Sequence, residues 1–142
     1  MFASTFASAR TQPSSLANAY ARVELETGTL DASPHKLIQM LFDGLQDALS
    51  RARGALADGR VDVKARAVAH AARIVEEGLK SALDLQAGGQ IAADLNALYA
   101  YMTVRLTHAN LHNDAAALDE CVRLLEPVRS AWAEIGPRVT AR

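Results

Sequence analysis

The side chains able to carry acid–base, nucleophilic or metal chemistry are few. His35, His70, His108 and His112 are the four histidines, and Cys121 is the single cysteine. His108 and His112 stand four apart, so on a helix their imidazoles lie one turn apart on one face and could share a metal ion. No carboxylate converges on them in the pattern, and two histidines near a helix end are more often simply solvated. There is no His-Glu-x-x-His for zinc, no Glu-x-x-His pair for a di-iron bundle and no Cys-x-x-Cys-His for haem. Gly88-Gly89 leads into Gln90 rather than into a phosphate-binding loop. One cysteine builds neither an internal disulfide framework nor a multi-cysteine metal cluster. Among apolar neighbours it reads as a small buried hydrophobe. No catalytic residue, metal or cofactor is expected, and the function must lie in binding.

The elements that would carry such a function are helices. Of 142 residues, 50% are hydrophobic, 5% aromatic and 22% charged, with 29 alanines and 18 leucines. A strand-rich domain would need more β-branched and aromatic residues and more turn formers. Fifteen basic and 16 acidic residues leave a net charge of −1, which excludes a strongly basic nucleic-acid footprint. No run approaches the roughly 18 apolar residues of a membrane span. Residues 1–15 lack the charged start and apolar centre of a secretory signal and read as a disordered tail. A cytoplasmic protein is expected, without direct membrane insertion.

Leu16 to about Glu26 fits a short helix, followed by a break at Thr27-Gly28-Thr29. Ser33 and Pro34 then start a long helix, Ser33 as N-cap and Pro34 where its missing N–H costs nothing. Its apolar stripe runs Leu37, Leu41, Leu45, Ala48, Ala52 and Leu56, widened by Ile38, Phe42 and Leu49, and Asp58-Gly59 stops it. A second helix is predicted from Val61 to Gln86, with a main stripe of Val61, Ala65, Val68, Ala72, Val75, Leu79 and Ala82 or Leu83. A third is predicted from Ile91 to His112, with Ile91, Leu95, Leu98, Met102, Leu106 and Ala109. A fourth is predicted from Ala115 to Ile135, with Leu118, Cys121, Val122, Leu125, Val128 and Trp132. Gly136-Pro137 is its expected stop, and Pro127 is expected to remove one backbone bond and bend it. Leu37, Leu41, Leu98, Met102, Leu125 and Trp132 are predicted core. Short connections force antiparallel neighbours, so the fold class is all-α. The expected architecture is an antiparallel up-down four-helix bundle over 16–136, with an N-terminal extension and a flexible tail at 137–142.

A bundle helix needs one apolar stripe, and the second and third helices each carry two. On the second, Val63, Ala67, Ala71, Ile74, Gly78 and Leu85 lie about 220° around from the main stripe. On the third, Ala93, Ala97, Tyr101, Val104, His108 and Leu111 do the same. Exposed alanines can be innocent helix formers. Two such stripes on successive helices instead predict one outward groove in which a foreign helix seats closely. The fourth helix has a single arc and a charged back of Asp119, Glu120, Arg123, Glu126, Arg129 and Glu134.

An ordered set of strings completes the reading. It comprises Asn18-Ala19-Tyr20, Ala32-Ser33-Pro34-His35-Lys36-Leu37, Met40-Leu41-Phe42-Asp43-Gly44 and Glu77-Gly78-Leu79-Lys80-Ser81-Ala82-Leu83-Asp84. It continues with Asn96-Ala97-Leu98-Tyr99-Ala100-Tyr101-Met102, Arg105-Leu106, Ala109-Asn110-Leu111-His112-Asn113-Asp114 and Ala131-Trp132. Together, over about residues 16–135, they resemble the flagellar secretion chaperone family FliS. The resemblance implies a cytoplasmic, non-enzymatic bundle that binds the disordered C-terminal segment of flagellin and stops premature polymerisation. It also implies delivery of flagellin to the flagellar type III export gate. It further implies that the extension covers part of the binding surface, with Tyr20 as its aromatic. Phe42 stands where many relatives carry Tyr, and Pro127 departs from the pattern. The competing reading is a regulatory or adaptor bundle that takes up another amphipathic helix.

Overall fold

The structure is a computed structural model that describes residues 33–140, with the side chains of 33–136. The tail, the short helix expected over 16–26 and Tyr20 lie outside the described residues.

Helix α1 spans Pro34–Ala57. Ser33 is its N-cap in extended backbone, and the Lys36 N–H donates to the Ser33 hydroxyl at 3.2 Å, satisfying one of the orphan donors of the first turn. The chain reverses at Asp58-Gly59, and α2 covers Val61–Arg73. It runs on into a π-helical segment, Ile74–Lys80, rather than staying α-helical to Gln86 as predicted. Beyond it the Ser81 hydroxyl donates to the Glu77 carbonyl at 2.7 Å, and the Asp84 carboxylate accepts from the Gln86 and Ala87 N–H groups. Gly89 opens α3, Gly89–His112, at a φ of 59° that only glycine adopts freely. Asn113, left-handed at φ 51°, makes the turn, and Asp114 accepts from the N–H groups of Ala116 and Ala117 at the start of α4. Helix α4 spans Ala115–Thr140, so neither Pro127 nor Gly136-Pro137 ends it. Pro127 still withholds an N–H from the carbonyl four residues earlier.

Helix α1 packs on α2 and α4, and α3 packs on α2 and α4. The partners fix the directions. Arg53 reaches Asp119 at 2.8 Å while Arg129 reaches Asp43 at 3.0 Å, so α1 and α4 run antiparallel. Lys64 meets Asn110 and Glu76 meets Thr103, so α2 and α3 do as well. The result is an all-α, antiparallel up-down four-helix bundle, and no strand occurs among the described residues. Its core is built on Leu41, Leu45 and Leu49 of α1, Met102 and Leu106 of α3, and Leu118 and Cys121 of α4, all essentially inaccessible to water. Of the six predicted core residues, Leu41, Met102 and Leu125 are buried, while Leu37, Leu98 and Trp132 are only partly covered.

The winding of α2 corrects the sequence reading. Its two stripes, about 220° apart one way, are about 140° apart the other. The core occupies that shorter interval. Lys64, Ala71 and Gly78 lie at its centre and are buried, with Ala67 and Ile74 on one flank and Val68, Val75 and Leu79 on the other. Both stripes of α2 are thus edges of one wide buried arc.

Candidate functional site

Four of the predicted groove residues are therefore not surface. Ala67, Ala71, Ile74 and Gly78 are core, and Val63 is half-buried. Leu85 is exposed but sits in the turn before α3, not on a helix face. The α3 half of the prediction has a different outcome. Ala93, Ala97, Tyr101, Val104 and Leu111 all face outward, and His108 is half-buried. Val104 is 63% and Leu111 74% exposed, an unusual position for such large aliphatic groups. Helix α3 buries one arc and leaves a second apolar arc to solvent.

A groove flanks this ridge on each side. On the α2 side an open groove of about 460 Å³ is walled by Val61, Ala65, Val68 and Ala72 opposite Leu106 and Leu111. The small residues of α2 that read as core stripe in the sequence form this wall. They permit close approach of another backbone, which is what helix-in-groove binding requires. On the α4 side, near the start of α3, a groove of about 410 Å³ is lined by Ile91, Leu95, Pro127, Val128, Trp132 and Ile135. Beneath it lies a cavity of about 90 Å³ that shares Leu95, Val128 and Trp132 with the groove. Pro127, unplaced by the sequence, is part of this apolar wall. From Leu95 to Leu106 is eleven residues, so the two grooves lie about 16 Å apart along the axis.

The polar groups around the ridge are mostly committed. The Tyr101 hydroxyl donates to Glu120 at 2.6 Å and Arg105 Nε donates to the same carboxylate at 2.8 Å. These two bonds hold Glu120 below the ordinary carboxylate range, and the bond to Glu120 pushes the Tyr101 phenol up. The charged back of α4 is accordingly a pair of seams: Asp119 and Arg129 clasp α1, and Glu120 clasps α3. His108 Nε2 lies 3.1 Å from Asp114. Partial burial raises the Asp114 carboxyl, but the Ala117 and Ala116 N–H bonds and His108 outweigh it and leave the group below its ordinary value. The His108 and His112 rings sit 4.5 Å apart, tilted. His70 is pushed down by burial and by Arg51 and Arg73, which favours the neutral imidazole. Among the described residues no group of three or more His, Cys, Asp or Glu is placed to hold a metal ion, and no helix is long and apolar enough to cross a membrane.

One feature escaped the sequence reading altogether. Lys64 lines the α2/α3 groove yet is 1% exposed, and its ammonium donates to Asn110 Oδ1 at 2.7 Å and to the Asn110 carbonyl at 2.9 Å. A lysine normally marks the solvent face, so only its central place between the two apolar stripes could have signalled it.

The fold and surface thus define an all-α four-helix bundle with an apolar ridge between two apolar grooves. The chain belongs to the FliS family: the model for "Flagellar protein FliS" matches residues 16–139. It is 48% identical to the Flagellar secretion chaperone FliS of Salmonella typhimurium, over 86% of this chain and 90% of that protein. It is 42% identical to the Flagellar secretion chaperone FliSB of Pseudomonas aeruginosa, over 80% and 89%. Against the Flagellar secretion chaperone FliS of Escherichia coli the identity is 38%, over 82% and 85%.

Proposed function

We propose that this protein is a cytoplasmic flagellar secretion chaperone that holds the disordered C-terminal segment of flagellin. By holding it the chaperone prevents premature polymerisation and supports delivery to the flagellar type III export gate. The observation that carries this reading is the outward apolar arc of α3 with a groove on either side. A segment that leaves the α2/α3 groove, crosses Tyr101 and Val104 and enters the α3/α4 groove buries both grooves and the ridge. That path suits a chain without fixed structure of its own, which can fold piecewise on a long surface.

The segment around Tyr20 is assigned the role of a lid. What supports it is position: α1 begins at Pro34, and His35 in its first turn stacks on Trp132, which walls the α3/α4 groove. The described residues that follow the segment, Ser33 to His35, stand beside that groove. A lid there would compete with flagellin for the apolar surface and leave when flagellin binds.

The test is calorimetry of the full chain with a flagellin C-terminal peptide of about 40–50 residues. One-to-one binding with a large negative heat-capacity change is expected, as for a disordered segment folding onto apolar surface. Deleting residues 1–17 should leave the bundle folded. A parent protein that ignores the peptide but captures a different amphipathic helix would support the adaptor reading instead.

A further inference from the structure

Resting on the flagellin-binding reading, we infer that Lys64 and Asn110 form a carboxylate seat in the floor of the α2/α3 groove. It receives an acidic side chain or the terminal carboxylate of the bound segment and so fixes the register in which that segment docks.

The argument begins with charge. Lys64 is the buried cationic side chain of the described core, and it lies among apolar walls. A buried cation is costly without a counter-charge. The two acceptors Lys64 has are both on Asn110 and both neutral. The acid nearest in sequence, Asp62, is exposed and reaches Arg66 at 3.8 Å. No carboxylate among the described residues pairs with Lys64. An ammonium has three N–H donors and no acceptor, so Asn110 leaves one over. The Asn110 side-chain amide is also undercommitted, because the one bond it donates is a long one, 3.4 Å to the Ala65 carbonyl. Lys64 from α2 and Asn110 from α3 line the same groove, and the third ammonium N–H and the Asn110 amide are the two donors that a carboxylate would take up.

A purely structural clip between α2 and α3 would be served as well by an apolar pair, since replacing buried charge with well-packed hydrophobic groups is often neutral or stabilising. The charge gains a use when an anion arrives. In a groove otherwise lined by alanine, valine and leucine, one desolvated cation also supplies what apolar contact cannot, a preferred register along the bound helix.

The experiment is calorimetry of the full chain with the flagellin C-terminal peptide, for the parent protein and for Lys64→Met, which keeps the stem and removes the charge. The dissociation constant should rise about tenfold or more, as for loss of one hydrogen bond to a charged group. The thermal melt should fall only modestly, because the variant stays folded but leaves the Asn110 acceptors without their donor. On the parent protein, peptides with each Asp or Glu changed to Asn or Gln, and one with an amidated C-terminus, should include a single change that reproduces the loss. That same change should have no further effect on Lys64→Met. The side-chain and terminal sources are distinguished by which peptide does so. The inference is overturned if Lys64→Met binds within twofold of the parent, or if no neutralised peptide weakens binding to the parent. The peptide arm needs no protein variant and decides the matter even where Lys64→Met fails to fold. A parent that binds no flagellin peptide at all overturns the functional reading first, and this inference with it.

Discussion

His35 and Trp132 hold each other by three contacts. The His35 Nε2–H donates to the Trp132 carbonyl at 2.8 Å, the indole N–H donates to the His35 carbonyl at 3.1 Å, and the two rings stack with centroids 4.8 Å apart. The clasp ties the first turn of α1 to the last third of α4. It also orients the indole that walls both the α3/α4 groove and the cavity beneath it.

The clasp depends on Gly136, whose missing Cβ leaves the space that the His35 ring fills. Gly136→Ala gains about 1 kcal/mol of helix propensity, but the methyl group strikes the imidazole. A net loss of about 1–3 kcal/mol in thermal or denaturant unfolding is expected. His35→Ala in the same background should make Gly136→Ala harmless, a coupling that a double-mutant cycle reads directly.

Ile74→Glu and Val104→Glu should behave as opposites. Ile74 is fully buried, so an unpaired carboxylate there should unfold the bundle. Val104 is 63% exposed, so its carboxylate stays in water and the melt should hardly move. Flagellin-peptide binding should fall in Val104→Glu, because the charge meets a desolvated contact. Circular dichroism melts and calorimetry on the same samples separate the two effects. A folded Ile74→Glu would show that α2 is wound differently.

Truncation of the leucines should follow burial rather than stripe. Leu41→Ala should cost about 3–5 kcal/mol, since the side chain is wholly enclosed. Leu98, half-buried, should cost about half as much. Urea unfolding midpoints at constant slope check the ordering.

Cys121 gives a pH signature. Burial, followed by the nearby Glu120 charge, pushes its thiol up from 9.0 to about 11. The unfolded chain therefore ionises first, so the Cys121 contribution to stability is constant below pH 9, falls between pH 9 and 11, and levels above. Tyr99, also raised by burial, adds loss in the same direction at higher pH. Cys121→Ala should abolish the portion that begins at pH 9. The native thiol should resist alkylation at neutral pH until the protein is unfolded.

The helices of the bundle were legible because their signals are local. Ser33-Pro34 caps α1, Asp58-Gly59 and Asn113-Asp114 turn the chain, and the leucine spacing of α1 matches its buried face. The exposed arc of α3 was legible for the same reason: Tyr101 and Val104 lie opposite Met102 and Leu106 on one regular helix. The face of α2 was not. Its apolar residues are small and spread over most of the circumference, and the residue at the centre of the buried arc is Lys64. Composition counts that lysine as solvent-facing, whereas Asn110, 46 positions away, makes its burial tolerable. The π-helical stretch from Ile74 shifts the phase further and carries no signature in spacing alone. On α4, Pro127 and Gly136 have the composition of a stop, yet one lies on the groove wall and the other makes room for an imidazole.

The chain has a single tryptophan, and it is the one in the clasp. The molecule thus contains its own optical gauge. Anything that seats in the α3/α4 groove strips water from the indole and moves its emission to shorter wavelength. Anything that levers α1 away from α4 separates the indole from the imidazole stacked on it and changes how strongly it emits. Occupancy and opening leave different marks, one in colour and one in intensity. Both can be followed in the unlabelled protein on the millisecond scale of a stopped-flow trace.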